Sequence, residues 1–240
     1  MTRRVLAPSI AVAATIAAVA VGCGHSSSRT AGAQAAPGAA RFSAHVDNRW
    51  FPLIPGTRYV YVGEKDGQPS RDVVTVTHAV KTIDGAPCVV VHDRLYLRGR
   101  LGERTTDWYS QDDKGTVWYF GERTAELDRS GRVTSTSGSW KAGVDRARAG
   151  IFMPAHPRLG QSFRQEFYKG QAEDHFRVIG LFATVTTPAG KNALLTREWT
   201  PLEPGVIDHK MYVRGIGTVL EQTQKGGNER GELVSLTRGV

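Results

Sequence analysis

Three aspartate–histidine neighbours stand out in the 240-residue chain: His92–Asp93, Asp174–His175 and Asp208–His209. A carboxylate beside an imidazole is the raw material of a general base. Each pair falls in a stretch that reads as strand, and adjacent strand residues point to opposite faces. No pair is therefore a dyad by itself. A metal site drawing one member from each strand, Asp93, His175 and His209 for example, has no HExxH or CxxC spacing behind it. Neither a G-x-S-x-G elbow nor a G-x-x-x-x-G-K-[ST] phosphate loop occurs, and "RGIGTV" (214–219) reads as a bulge or tight bend. Glu103, Asp107, Asp112 and Asp113 lie among aromatics, and two carboxylates ~5 to 9 Å apart would permit glycoside hydrolysis. Asp112 and Asp113 are more simply turn residues. No catalytic residue, metal ligand or cofactor is assigned.

The clearest chemistry lies at the N-terminus. Arg3 and Arg4 precede an uncharged run, Val5 to Val21, and Ala20-Val21-Gly22-Cys23 closes it. Charge, apolar run and small residues in that order make a secretory signal peptide. At ~1.5 Å per residue the run is marginal for a permanent membrane span. The last four residues resemble a bacterial lipobox, with Ala20 where Leu is usual. That resemblance implies cleavage before Cys23 and diacylglycerol on its sulfur. Acyl chains gaining ~0.8 kcal/mol per buried CH₂ would hold the protein on a membrane. Only one other cysteine exists, Cys88, so an acylated Cys23 leaves no intrachain disulfide. Cys88 sits beside a valine triplet and reads as a buried, inert thiol.

The expected organisation is a signal peptide (1–22), a lipid-anchored flexible tether rich in Gly, Ser, Ala and Pro (23–45), and one β-rich domain (46–240). The formal charge of +8 favours anionic surfaces such as lipid headgroups or acidic envelope polymers. No basic block interleaved with stacking aromatics appears, which argues against nucleic acid. A monomer is expected.

Twenty-seven glycines and 11 prolines punctuate short β-branched and aromatic runs. Strands are predicted at 57–64, 71–82, 88–98, 103–111, 116–121, 124–129, 132–137, 161–169, 173–182, 192–199, 206–214, 216–223 and 230–238. "KDGQ", "IDGAP", "DDKG", "RSGR", "PAGK" and "KGGN" are the turns. Only 141–149 could form a helix. Sequential hairpins of this kind imply an all-β, mainly antiparallel meander. It should curve into a half-barrel or barrel, with at most one or two short helices.

Alternation sorts the faces. Val74, Val76 and Val80 share one with His78. Val89, Val91, Leu95 and Leu97 share one with Asp93. Phe163 and Phe167 share one with Gln165, and Ile207, Met211 and Val213 share one with His209. If those faces are internal, the four polar residues must find partners or cost ~1 to 3 kcal/mol each. They suit either a ligand cavity or a core whose polar groups bond one another.

Several phrases resemble a group of uncharacterised exported bacterial lipoproteins. They are "DNRWFPLIPGTRYVY" (47–61), "TTDWYSQDDKGTVWYFGE" (105–122), "GIFMPAHPRLGQSFRQEFYKGQAED" (150–174), "TPLEPGV" (200–206) and "YVRGIGTVLE" (212–221). The resemblance implies an exported location and a β-rich fold, and no reaction. Within these phrases Trp108, Tyr109, Trp118, Tyr119 and Phe120 form an aromatic hairpin. Phe152 and Met153 lie on an extended, proline-rich loop that could plug the core or form the lip of a groove. These seven are the candidate ligand contacts, with cross-strand packing as the alternative.

Three functions follow. The first is a non-catalytic envelope lipoprotein binding an apolar or amphipathic ligand. It expects a concave apolar pocket of several hundred Å³ lined by aromatics. The second is a structural or interaction protein that touches anionic envelope polymers. The third is a hydrolase of glycans or lipids using Asp, Glu and His from separate strands.

Overall fold

A computed structural model describes residues 41–185 and 192–239 of the chain. Cys23, the expected signal peptide and most of the expected tether lie outside the described residues. The chain forms β1 (Phe42–Ser43), β2 (Arg58–Lys65), β3 (Gln68–Ile83), β4 (Ala86–Leu97), β5 (Arg100–Asp112), β6 (Val117–Leu127), β7 (Val133–Ser135) and β8 (Trp140–Lys141). It continues through β9 (Arg148–Met153), β10 (Ser162–Arg164), β11 (Glu166–Phe167), β12 (His175–Ala183), β13 (Ala193–Trp199), β14 (Ile207–Val213), β15 (Gly217–Lys225) and β16 (Arg230–Thr237). Every pairing is antiparallel, and there is no helix among the described residues.

Tight turns drive the meander. Lys65 pairs with Gln68, Ile83 with Ala86 and Leu97 with Arg100. Each hairpin therefore turns on two residues, Asp66-Gly67, Asp84-Gly85 and Arg98-Gly99. All six have positive φ, from 47° to 79°. Two left-handed residues in succession match the strand twist, and Asp-Gly accepts them readily. The third turn uses an arginine, which gave no such signal.

The strands run in the order β10-β12-β13-β14-β15-β16-β2-β3-β4-β5-β6-β9-β11. The sheet is a nearly closed barrel, joined by one crossing segment. Residues 162–164 pair with β12, and two residues further on Glu166 and Phe167 pair with β9. Gln165 sits where the chain passes from one edge to the other. The predicted strand 161–169 is thus two short ones serving opposite edges.

Other expectations change in detail. The predicted strands 116–121 and 124–129 are one, β6, with an irregularity where Trp108 faces Gly121. The helix considered at 141–149 does not form; turns connect β8 to β9. The loop expected around Phe152 and Met153 is largely strand β9, which pairs with β6. Phe42 pairs opposite Asp112 and packs edge-on to Trp118 (6.1 Å) and Phe120 (5.2 Å). The folded body therefore includes residues that composition alone gives to the tether.

One end of the barrel is capped by residues 46–56. Val46 and Leu53 bridge to each other, and both are buried with Trp50. Asn48 fixes the bend: its side-chain oxygen accepts from the Trp50 amide at 2.9 Å, and its amide nitrogen donates to Gly115 at 2.7 Å. Phe51 then packs on Tyr109 (5.4 Å) and Phe152 (4.4 Å).

Candidate functional site

Cross-strand rows reveal how the interior is built. Nearest the cap, Val89, Tyr109 and Tyr119 lie side by side. The next row is Val76, Val91, Asp107 and Glu122, followed by Val74, Asp93, Thr105 and Thr124. The row farthest from the cap is Asp72, Leu95, Glu103 and Glu126. Polarity therefore rises along the barrel axis, from aromatic at the cap to carboxyl and hydroxyl near the β2–β3 turn. The opposite wall repeats this gradient, with Leu194 beside Tyr212, and Thr196 beside Lys210 beside Glu221.

Most of these polar groups have partners. Tyr119 donates to Asp107 at 2.8 Å, and Trp140 Nε1 donates to Glu166 at 3.0 Å. The Thr105 and Thr124 hydroxyls lie 2.9 Å apart and both reach Glu103. Lys210 Nζ is 3.0 Å from Glu198 and 3.4 Å from Glu221, and Tyr212 donates to Glu198 at 3.1 Å. Asp72 and Asp93 are diagonal neighbours on the inner face of β3 and β4. Burial is the main cause of a raised value at both. At Asp93, which is held well above the usual carboxylate range, the neighbouring Asp72 adds to it.

A cavity of about 80 Å³ opens along the wall formed by β2, β3, β4 and β14 to β16. Phe51, Leu53, Tyr109, Phe152 and Val91 lie towards the cap, and Lys65, Asp72, Lys210, Glu221 and Glu229 towards the other end. Tyr59, Tyr61 and Tyr212 stand between. Two of these tyrosines are tied back by their hydroxyls, Tyr59 to Pro52 (3.0 Å) and Tyr61 to Thr218 (3.1 Å), so their rings face the space as fixed walls. Four lining atoms, Lys65 Nζ, Asp72 Oδ1, Tyr109 OH and Glu229 Oε1, are buried without a hydrogen-bond partner. An unmet buried polar group costs roughly 1–3 kcal/mol. Four around one space mark a place where a polar group or water belongs. The cavity is smaller than the pocket of several hundred Å³ that was expected. Its size suits a small molecule or the end of a longer one.

The expected contacts divide between the faces of the wall. Tyr109 and Phe152 line the cavity. Tyr119 and Met153 are fully buried in the core. Trp108, Trp118 and Phe120 occupy the other face of β5 and β6, where Lys81 lies over Trp108 (4.1 Å), Trp118 donates to Asp112 (2.9 Å) and Phe42 covers Phe120. The five aromatics therefore form no single platform, because alternation sends neighbours to opposite sides.

The four polar candidates divide as well. Asp93 and Gln165 are buried. His78 is exposed, because the irregularity between Val76 and Val80 turns that end of β3 outward. His209 is half-buried opposite Arg197; the buried residues beside it are Lys210 and Tyr212. The inner face of β14 is therefore the opposite of the expected one, because Lys210 looks like a surface residue until Glu198 and Glu221 are placed beside it. The trio Asp93, His175 and His209 cannot share an ion, since Asp93 is inside the barrel and both histidines belong to rows on its outer side. Cys88 is fully buried, its thiol pushed up to about 12, chiefly by burial. Lys65 and Glu229, which define the polar end of the cavity, were not singled out in the sequence; each borders a turn and looked solvated.

Compared with protein-family models, with curated proteins and with solved structures, the chain matches none.

Proposed function

We propose that this is an exported envelope protein, anchored by lipid on Cys23, whose barrel holds a small amphipathic molecule without transforming it. The observation that carries this reading is the cavity. Its apolar end is built from Phe51, Leu53, Phe152 and Val91, and its polar end presents Lys65 Nζ and Asp72 Oδ1 without partners. A ligand with an apolar body and a polar head would satisfy both ends at once. Tyr61 and Tyr212 would flank its middle. The order Arg3-Arg4, apolar run, Ala20-Val21-Gly22-Cys23 supports the location, as does the resemblance to exported lipoproteins. The non-catalytic role is supported by how the carboxyl groups are used: Asp107, Glu166 and Glu198 are each engaged by a tyrosine, tryptophan or lysine.

Native mass spectrometry of the intact mature protein, purified from membranes, tests both parts. The expected result is a chain beginning at an acylated Cys23 that carries a non-covalent adduct, with the adduct lost in Val74→Phe, which fills the cavity. An unacylated chain overturns the anchor. An adduct that persists in Val74→Phe, or a wild-type chain with none, overturns the cavity reading.

A further inference from the structure

Acids are buried more often than bases in this protein. Among the described residues, eight of 23 acidic residues are buried, against two of 27 lysines and arginines, which leaves 15 acids and 25 bases outside the core. One outer face sets two of those bases side by side. Arg177 of β12 lies directly opposite Arg197 of β13, which lies opposite His209 of β14. Like charges facing each other across strands are destabilising. Both arginines are exposed, and among the described residues neither has a carboxylate within ion-pair distance. The Arg197 guanidinium is positioned over Trp199, 5.6 Å from its ring centre, and Trp199 stacks in turn on His175 at 5.4 Å. His209 is held below its ordinary value by partial burial and then by Arg197, so the row is already crowded with positive charge.

The two most exposed large apolar side chains flank this row, Phe182 at 74% and Leu159 at 66%. Leu159 precedes Gly160, whose amide bonds to Val178 at 2.9 Å, beside Arg177. Phe182 lies five residues along β12 from Arg177, at most ~17 Å at strand rise, and the register shifts between Val178 and Ala183 reset the alternation between them. The other strongly exposed ones, Val80 and Val234, are on β3 and β16, several strands away.

We propose that the outer face of β12 to β14 docks on an anionic bilayer surface, with Arg177 and Arg197 meeting lipid phosphates and Leu159 and Phe182 entering the headgroup layer. Guanidinium groups match phosphate geometry, and apolar tips beside basic residues are what an interfacial contact uses. A hydrophilic polyanion would make use of the arginines and leave Phe182 and Leu159 unexplained. This docking is independent of what the cavity holds. Together with an acylated N-terminus it would fix which side of the barrel faces the membrane.

The test is co-sedimentation of the full chain with phosphatidylcholine vesicles, with and without phosphatidylglycerol. The N-terminal segment is present in every sample and contributes equally to each variant. Wild type should prefer the anionic vesicles by about tenfold or more at low salt. Arg177→Glu/Arg197→Glu should erase that preference, and Phe182→Ser should weaken binding to both vesicle types. The single changes Arg177→Gln and Arg197→Gln, each reducing the preference, replace the double variant if its circular dichroism departs from wild type. Equal wild-type binding to both vesicles overturns the proposal, as does a preference that survives loss of both arginines. So does retention on a soluble polyanion, heparin, that needs the arginines when vesicle binding does not.

Discussion

Glu122 illustrates what burial does to a single side chain. It is 2% exposed, and neither carboxyl oxygen has a hydrogen-bond partner. Burial first, then the carboxyls of Glu166 and Asp107, hold its proton on well above the usual carboxylate range. A group whose folded value lies above its unfolded one contributes stability that is whole below the unfolded value and is lost as pH rises through the folded one. Glutamine has the same shape and never ionises. Glu122→Gln should therefore leave stability nearly unchanged at about pH 4 and raise it at about pH 8, by on the order of 1–2 kcal/mol. Urea unfolding at the two pH values checks this. An equal effect at both would mean that Glu122 carries no proton cost in the fold.

At the scale of elements, the barrel is uneven. The β3–β4 ladder runs through eleven paired positions, whereas β9 meets the crossing segment only through Glu166–Ala149 and Phe167–Arg148. Gly150 makes that seam possible. A Cβ there would lie 2.1 Å from the Gln165 carbonyl oxygen and 2.4 Å from its carbon, and backbone atoms cannot swing aside as a side chain does. Gly150→Ala should cost about 3 kcal/mol or more. Amide hydrogen exchange should accelerate across 148–153 and 162–167 while β3 to β5 keep their protection. Unchanged protection at the seam would show that the barrel is not closed there. The hairpin turns are the part of this level most visible in sequence, since Asp66-Gly67 and Asp84-Gly85 state their geometry outright. The seam was not visible, because "QSFRQEFYK" alternates like one ordinary strand and nothing in it says that its halves serve different edges.

For the molecule as a whole, the sequestered acids set the response to pH. Asp107 is pushed up to about 7, chiefly by burial. Asp72, Asp93 and Glu166 are also raised, with burial the largest cause at each. Each holds its proton more tightly in the fold than in the unfolded chain. Stability should therefore fall between about pH 5 and pH 8, with a drop in Tm on the order of 5–10 °C. Thermal unfolding followed across that range checks the sign. A Tm that rises with pH would mean that the interior carboxyls fold in their charged form.

The amino-acid sequence by itself determined the class of fold, because turn residues and period-two alternation are local and survive without knowledge of neighbours. It also placed Asp93 on an inner face, where the alternation around it is unbroken. Only the tertiary structure decided the rest. A bulge in β3 put His78 outside, which no pattern within the strand records. Glu198 and Glu221, distant in the chain or on another strand, made Lys210 an interior residue. The cavity exists because Lys65, Asp72, Tyr109 and Glu229 converge from four strands or turns, and convergence is a property of the closed barrel rather than of any segment in it.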